Sequence, residues 1–221
     1  MIPVIGLIGG TDSSGGAGLQ ADIETCKDIN CRGYPVISAI TSQHHNQRFK
    51  ITPVPQAGFS SQLDSLLNRS IDTIKIGMLH STQVINKVFK SLIKIKVKKI
   101  ILDPVMIAKG GSKLITDEAI QLMKKKLLKK ISLITPNIPE AEILTGIKIK
   151  SKDDMIFAAK ELINLGAKNV LLKGGHLKSK NVIDLYLNKS DIKFFTNFRH
   201  NTKNTHGTGC TLSSAIATFF S

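Results

Sequence analysis

A glycine-rich segment near residue 207 combines groups that can hold an anion with a nucleophilic side chain. Residues 203–211 read KNTHGTGCT and run directly into the apolar sequence LSSAIATFF. A glycine loop that leads into a helix N-terminus presents free backbone N–H groups, which bind phosphate and other anions. Cys210 falls in the first turn of that predicted helix, where the helix dipole is expected to lower its pKa and favour the thiolate. The alternative is an ordinary glycine loop with Cys210 as a core residue.

Further polar residues follow predicted strands elsewhere in the chain. Asp103 comes directly after the apolar run KIIL, and Lys173 comes after NVLL beside two glycines. Asn137 and Glu140 lie three residues apart at a predicted helix start, where they form either a cluster that organises Mg²⁺ and its waters or a capping box. For Lys173 taken alone, a phosphate contact competes with an ordinary solvated loop lysine.

A second glycine-rich stretch follows the first predicted strand. Residues 9–18 read GGTDSSGGAG and are expected to form a loop between PVIGLI and the predicted helix LQADIETCKDIN. The spacing matches neither GxGxxG nor GxxxxGK[ST], so it is a weak phosphate signal. The glycines could instead admit a flat ligand against the backbone, with Asp22 as its polar anchor. A solvated helix residue is the alternative for Asp22.

Strands and helices alternate along the sequence, which predicts a mostly parallel sheet with helices on both faces. The predicted strands are residues 3–8, 34–41, 51–54, 71–77, 99–102, 131–134, 169–172, 181–187 and 192–196. The predicted helices are residues 19–30, 57–68, 81–94, 116–129, 139–144 and 152–165, with a final helix that contains Cys210. Because parallel strands end at one edge of a sheet, the polar residues are expected to meet there. We expect a single domain, residues 1–221.

The composition limits the classes of partner. The formal net charge is +15, but the lysines are interspersed with apolar residues, arginine is rare and aromatic residues do not alternate with them. This pattern disfavours specific nucleic-acid binding. The three cysteines form neither a disulfide set nor a metal-spaced pair. The first residues lack the features of a signal peptide, and no apolar run is long enough to span a bilayer. A cytoplasmic protein without membrane association is therefore expected.

Six blocks of the sequence closely resemble hydroxymethylpyrimidine/phosphomethylpyrimidine kinases of the ribokinase-like superfamily. They are GTDSSGGAGLQAD (10–22), KIGML (75–79), LDPVMIAKGG (102–111), LITPNIPEAEIL (133–144), LLKGGH (171–176) and KNTHGTGCTLSSAIA (203–217). Most related sugar kinases have Asp at the position of Cys210, whereas a Cys there is similar to the pyrimidine kinases and some pyridoxal kinases. The resemblance implies a three-layer α/β/α fold with a mostly parallel central sheet.

The resemblance also implies the reaction. ATP would phosphorylate the hydroxymethyl oxygen of 4-amino-5-hydroxymethyl-2-methylpyrimidine and then the resulting monophosphate, giving the diphosphate used in thiamine biosynthesis. The cofactors would be ATP and Mg²⁺. A pyridoxal kinase of the same fold and a catalytically impaired pyrimidine-binding protein are the alternatives. Members of this family are usually dimeric and continue beyond this sequence in further helices, so we expect a homodimer and a C-terminally short domain.

Carried over by position, the resemblance implies four sets of site residues. The pyrimidine would be bound by Gly10, Asp22, Gln43 and Met78. Mg²⁺ and its waters would be organised by Asn137, Glu140 and Asp103. The nucleotide would be contacted by Lys173, Asp103 and Thr208. The anion hole would consist of the N–H groups of Gly207, Thr208, Gly209 and Cys210, and Cys210 would be the base or a positioning group.

Overall fold

A computed structural model of the protein describes residues 2–44, 47–97, 99–108, 111–202 and 204–221. For residues 43, 44 and 47–49 it describes the backbone alone. The strands are β1 Val4–Asp12, β2 Arg32–His44, β3 Gln47–Pro53, β4 Thr73–Ile76, β5 Lys99–Leu102, β6 Leu133–Ile134, β7 Asn169–Leu172, β8 Asn181–Asn188 and β9 Ile192–Phe198. They form one sheet in the order β3-β2-β1-β4-β5-β6-β7-β8-β9. The six strands from β2 to β7 in this order run parallel, whereas β3, β8 and β9 pair antiparallel at the two ends.

In the described ranges, seven α-helices connect and cover the strands. They are α1 Gly18–Asp28, α2 Gln56–Leu67, α3 Thr82–Lys94, α4 Asp117–Leu122, α5 Ile138–Thr145, α6 Lys152–Asn164 and α7 Thr208–Phe219. The predicted N-cap of α4 is confirmed, because the Thr116 hydroxyl accepts a hydrogen bond from the backbone of Ala119 at 3.3 Å. None of the helices in the described ranges combines the length and apolarity needed to cross a bilayer.

The alternation of side chains along the strands divides the core between two faces of the sheet. In β4, Ile74 and Ile76 pack into the larger core cluster with residues of α2 to α6. In β5, Ile101 points the other way and packs with Leu19 of α1 and Ala217 of α7. Successive residues of a strand point to opposite faces, so Lys75 must face α1 and α7. The three-layer α/β/α arrangement is as predicted.

The first strand is longer than predicted, and the glycine loop is correspondingly shorter. Residues 9–12 were assigned to the loop, but they belong to β1 and pair with residues 37–41 of β2 across an irregularity between Gly9 and Gly10. This pairing joins segments that are distant in the sequence. It gives the backbone N–H and C=O groups of residues 9–12 hydrogen-bond partners that the glycine-rich sequence itself does not indicate. β1 therefore delivers Asp12 to the edge of the sheet.

The prediction of one regular α-helix over residues 116–129 was wrong, because only the first part of this segment is α-helical. After α4, residues 123–127 form a π-helical turn and residues 128–130 a 3₁₀ turn. The wider and then tighter turns keep Met123, Leu127 and Leu128 buried while the intervening lysines stay at the surface. Burying these apolar residues in the core thus takes precedence over regular α-helical geometry. This is a tertiary effect, which the helical periodicity of the sequence cannot predict.

The capping box at α6 gives a test of the fold. The Ser151 hydroxyl accepts a hydrogen bond from the Asp154 backbone at 3.1 Å, and the Asp154 carboxylate accepts one from the Ser151 backbone at 3.0 Å. We predict that Ser151→Ala lowers the free energy of unfolding by about 1 kcal/mol in urea denaturation, because it leaves a helix N–H without its side-chain partner. Ser190→Ala in the exposed β8–β9 turn is the matched control, and an equal loss there would contradict the prediction.

Candidate active site

A cavity of about 190 Å³ lies where the parallel strands end. Ten of the predicted site residues line it, together with Asp12, Lys75 and His206, which the sequence analysis did not assign. The ten are Gly10, Asp22, Met78, Asp103, Asn137, Glu140, Lys173, Gly207, Gly209 and Cys210. The expectation that these residues meet at one sheet edge is therefore met. The side chain of Gln43 lies outside the described part of the chain.

Lys173 and Asp103 form a buried ion pair rather than a solvated lysine and a free aspartate. Lys173 Nζ lies 3.0 Å from Asp103 Oδ1, and Thr135 donates to the same carboxylate oxygen at 3.3 Å. Burial alone would raise the pKa of Asp103, but Lys173 and then Lys75 hold it below its ordinary value. At Gly209, a Cβ would lie 3.2 Å from Lys173 Nζ, so the first turn of α7 closely approaches this pair.

Asn137 and Glu140 form the predicted capping box and also line the cavity. The capping box therefore does not exclude the proposed role of these residues at a Mg²⁺ ion. Asn137 Oδ1 accepts a hydrogen bond from the Glu140 backbone at 2.9 Å, and Glu140 Oε2 accepts one from the Asn137 backbone at 2.9 Å. Burial, with a further contribution from the negative charge of Asp103, raises the pKa of Glu140 to about 7. A cation placed beside Glu140 and Asp103 would favour their ionised forms.

These residues fit a Mg²⁺ ion held largely through water. Among the described residues, no three His, Cys, Asp or Glu side chains are grouped closely enough to hold a metal directly. Mg²⁺ usually keeps several waters and binds through one or two carboxylates together with substrate phosphates. Asn137, Glu140 and Asp103 supply oxygen atoms of the type that Mg²⁺ prefers at the wall of one cavity.

The second buried ion pair joins Asp22 to Lys75, and it corrects the expectation for Asp22. Lys75 Nζ contacts the two Asp22 oxygens at 2.7 and 2.8 Å, and both side chains are only 1% exposed. Ser214 of α7 donates to Asp22 Oδ1 at 2.8 Å. Asp22 is thus neither a solvated helix residue nor a carboxylate that is free to bind a ligand.

Lys75 is a buried charged residue of this cavity that the sequence analysis missed. Burial by itself lowers the pKa of Lys75, but the Asp22 carboxylate, followed by Cys210 and Asp103, raises it above its ordinary value. The ammonium group therefore stays charged beneath the cavity. The available signal was a single lysine inside the strand TIKI, in which all four residues are buried. A lysine in that context needs a buried anion.

Two adjacent serines attach α7 to both ion pairs. Ser213 Oγ lies 3.4 Å from Asp103 Oδ2 and shares its one proton between this oxygen and the Cys210 carbonyl oxygen at 3.0 Å, while the next residue, Ser214, donates to Asp22. Neither serine was assigned from the sequence. Thr208, by contrast, donates to the backbone oxygen of Thr205 at 3.0 Å and does not line the cavity.

The lowered pKa expected for Cys210 was wrong. α7 begins at Thr208, so Cys210 does lie in the first turn, as predicted. However, burial raises the pKa of Cys210 to about 11; Lys75 opposes this effect, while the carboxylates of Asp103 and Asp22 add to it. The helix dipole is a weaker influence than burial beside two negative charges, so the thiol is protonated at neutral pH.

Gly10 and Met78 form an apolar part of the cavity lining. Gly10 in β1 lies against Met78, since a Cβ at Gly10 would be 3.1 Å from the Met78 sulfur. Met78 is itself almost completely buried, and its backbone oxygen accepts a hydrogen bond from Ser38 at 2.8 Å. The missing Cβ at Gly10 leaves room for the Met78 side chain, and this backbone and thioether form a surface against which a ring can pack.

Comparison with known proteins gives a consistent result. A family model described as phosphomethylpyrimidine kinase matches residues 12–221. The hydroxymethylpyrimidine/phosphomethylpyrimidine kinase of Bacillus subtilis is 40% identical over 211 residues, which are 95% of this chain and 78% of that protein. The thiamine biosynthesis bifunctional protein ThiED of Geobacter sulfurreducens is 42% identical over 213 residues, which are 96% of this chain and 44% of that protein.

Solved structures agree with the predicted fold. Pyridoxal kinase from Staphylococcus aureus in complex with ADP has a TM-score of 0.93 at 31% identity, over 99% of this chain and 80% of that one. Phosphomethylpyrimidine kinase from Clostridium difficile has a TM-score of 0.85 at 38% identity, over 99% of this chain and 90% of that one. These likenesses confirm the predicted ribokinase-like fold.

The buried position of Glu140 predicts a dependence of stability on pH in the absence of divalent cations. The ordinary pKa of 4.5 rises to about 7 in the folded protein, which therefore keeps a proton that the unfolded chain releases. As the pH increases through this interval, the free energy of unfolding should fall by roughly 3 kcal/mol relative to Glu140→Gln. Urea denaturation of both proteins at several pH values measures this difference, and a difference that does not change with pH would contradict it.

Proposed function

We propose that this chain, which belongs to the phosphomethylpyrimidine kinase family, phosphorylates 4-amino-5-hydroxymethyl-2-methylpyrimidine and then its monophosphate with ATP, for thiamine biosynthesis. The observation that carries the proposal is that one cavity is lined by Gly10 and Met78, by the start of α7 and by Lys173. Phosphoryl transfer needs mainly positioning and stabilisation of charge, and these groups supply both.

The pyrimidine is proposed to lie against Gly10 and Met78, with its hydroxymethyl group directed toward Cys210. Gln43 remains our proposed partner for the polar edge of the ring. For Asp22 we propose a changed role, because both of its oxygens already contact Lys75. Asp22 holds the lysine, and through Ser214 it holds α7, rather than binding the ring itself.

The phosphates are proposed to bind at the start of α7. The N–H groups of residues 207–210 form the anion hole, and Lys173 contacts a phosphate oxygen from beside Asp103. Thr208 contributes through its backbone, since its hydroxyl is bonded to Thr205. Asn137, Glu140 and Asp103 would hold Mg²⁺ through water. When bound, the ion neutralises negative charge on the phosphate oxygens during transfer.

Cys210 is proposed to hold the hydroxymethyl oxygen in line for transfer rather than to act as a preformed thiolate base. With its pKa raised to about 11, the sulfur carries a proton at neutral pH and can donate a hydrogen bond to that oxygen. In a loose transition state the alcohol proton leaves late, so accurate placement of the oxygen contributes more than a strong base.

Substitution of Cys210 tests this role. We predict that Cys210→Ala lowers kcat by about 100-fold, a typical effect for loss of one positioned group, with little change in pyrimidine affinity measured by calorimetry. Cys210→Ser, which keeps a small hydrogen-bonding group, should retain clearly more activity. Near-normal turnover in the alanine variant would contradict any role for Cys210 in transfer.

The activity itself is tested by ATP consumption, first with the hydroxymethylpyrimidine and then with its monophosphate. We expect turnover of both, with Mg²⁺ required. Binding of the pyrimidine without turnover would contradict the proposed enzyme and support the impaired binding protein. Absence of both would contradict every pyrimidine assignment.

A pyridoxal kinase is the second candidate, because solved pyridoxal kinases have the high structural similarity described above. Cys210 and the surface of Gly10 and Met78 suit a pyridine ring as well as a pyrimidine ring. Measuring kcat/KM for both alcohols in the same preparation separates the two activities, and we expect the larger value for the pyrimidine. The cytoplasmic location and the homodimer remain predictions, and the latter is checked by light scattering.

A further inference from the structure

Asp12 forms a buried turn at the end of β1. Its carboxylate accepts hydrogen bonds from the Ser14 backbone at 3.0 Å, the Ser14 hydroxyl at 2.7 Å and the Ala17 backbone at 3.0 Å. These three bonds fold residues 12–17 into the loop that precedes α1. Although burial alone would raise the pKa of Asp12, the bonds from Ser14, together with His206, hold it below its ordinary value.

The fourth partner of Asp12 comes from the other glycine-rich segment. His206 Nε2 lies 2.7 Å from Asp12 Oδ2, although the two residues are 194 positions apart. The same ring nitrogen lies 3.2 Å from the Ser14 hydroxyl. The face of the ring is equally constrained, because a Cβ at Gly16 would lie only 2.8 Å from the His206 ring carbon Cδ2.

The backbones of the two loops also touch. Gly207 has φ +78°, and a Cβ there would overlap the Gly16 carbonyl oxygen at 1.7 Å. The backbone of Gly18 hydrogen-bonds the side chain of Cys210. The loop at residues 12–18 therefore lies directly against the start of α7, with the Asp12–His206 pair at its edge.

We infer that His206 and Asp12 form a clasp that sets the distance between the ring-binding side of the cavity and the amides of residues 207–210. His206 is thus a positioning residue for phosphoryl transfer, an inference that rests on the proposed function. The acceptor is proposed to bind against β1, whereas the phosphates bind at α7, which is distant in sequence. Small errors in their separation reduce the rate of transfer strongly.

The contacts indicate a role in positioning rather than in stabilising the fold. His206 is 28% exposed, so its removal leaves little buried volume empty. Asp12 keeps its three hydrogen bonds within its own loop when the histidine is absent, so no buried carboxylate is left without partners. Loss of His206 should therefore affect the relative placement of the loops more than the free energy of unfolding.

Three substitutions of His206 test the clasp. His206→Gln places an amide nitrogen near the position of Nε2, whereas the amide of His206→Asn is too short to reach Asp12 and His206→Leu has no donor. His200→Leu, at an exposed histidine, is the matched control. The measurements are kcat, KM for the pyrimidine and for ATP, and hydrogen exchange of the Thr211 amide in the free protein, because the bond of that amide to the Gly207 carbonyl oxygen reports on the start of α7.

We expect His206→Leu and His206→Asn to lower kcat by about 10- to 100-fold with KM values within about threefold, since a displaced anion hole weakens transfer more than binding. Exchange of the Thr211 amide should increase several-fold in both variants. His206→Gln should restore most of kcat and of the protection, and His200→Leu should resemble the wild type.

Normal kcat in the leucine and asparagine variants, equal losses in all three variants, or unchanged exchange of the Thr211 amide would each overturn the clasp. Should the leucine variant fail to fold, the comparison of glutamine with asparagine carries the test. An inactive wild type would contradict the proposed function alone, because hydrogen exchange still reports on the clasp without any substrate.

Discussion

The attachment of α7 to two buried ion pairs is the constraint on which the rest of the site depends. Ser213 and Ser214 follow each other in α7, yet one bonds to Asp103 and the other to Asp22, each of which is paired with its own lysine. Removing one partner of a buried ion pair typically costs 3–5 kcal/mol, because the remaining charge is left uncompensated. The position of the helix start is therefore tied to strands β4, β5 and β7 as well as to α1. An anion hole made of backbone amides needs such support, because its donors must be in place before charge develops.

The same pairs explain how the charges of the cavity are distributed. Lys75 and Lys173 each face an aspartate, and the cavity lining adds the carboxyl groups of Asp12 and of Glu140, whose pKa is about 7. The described lysines of this cavity therefore bring little positive charge beyond what the aspartates require. Under the proposed function, a nucleotide in this cavity would depend on the amides of α7 and on a divalent cation, which the oxygen atoms of Asn137, Glu140 and Asp103 suit. The same negative charges keep Cys210 protonated, because a thiolate beside Asp22 and Asp103 is unfavourable.

Local sequence patterns predicted the strands, most of the helices and the edge of the sheet at which polar residues meet. Asp103 and Lys173 were placed correctly because each directly follows an apolar strand, and the end of a parallel strand has a fixed position in such a sheet. Lys75 was missed because a lysine between apolar residues usually indicates a solvated face, and its partner Asp22 lies 53 residues away. The thiolate expected for Cys210 was wrong because the helix dipole is visible in the sequence, whereas burial beside Asp22 and Asp103 depends on the whole fold. The strand over residues 9–12 depends likewise on pairing with β2, which no local rule for glycine anticipates.

The long separation between the partners of α7 has a consequence for folding kinetics. Asp12 and His206 are 194 residues apart, Asp22 and Ser214 are 192 apart, and Asp103 and Ser213 are 110 apart. Contacts between such distant residues form slowly, because the intervening chain must be ordered before they contribute any stability. A folding intermediate could thus contain the complete parallel sheet and the larger core and still lack a place for phosphate. Under the proposed function, a state without these long-range contacts lacks the anion hole as well, so nucleotide binding would distinguish the native state from a merely collapsed one.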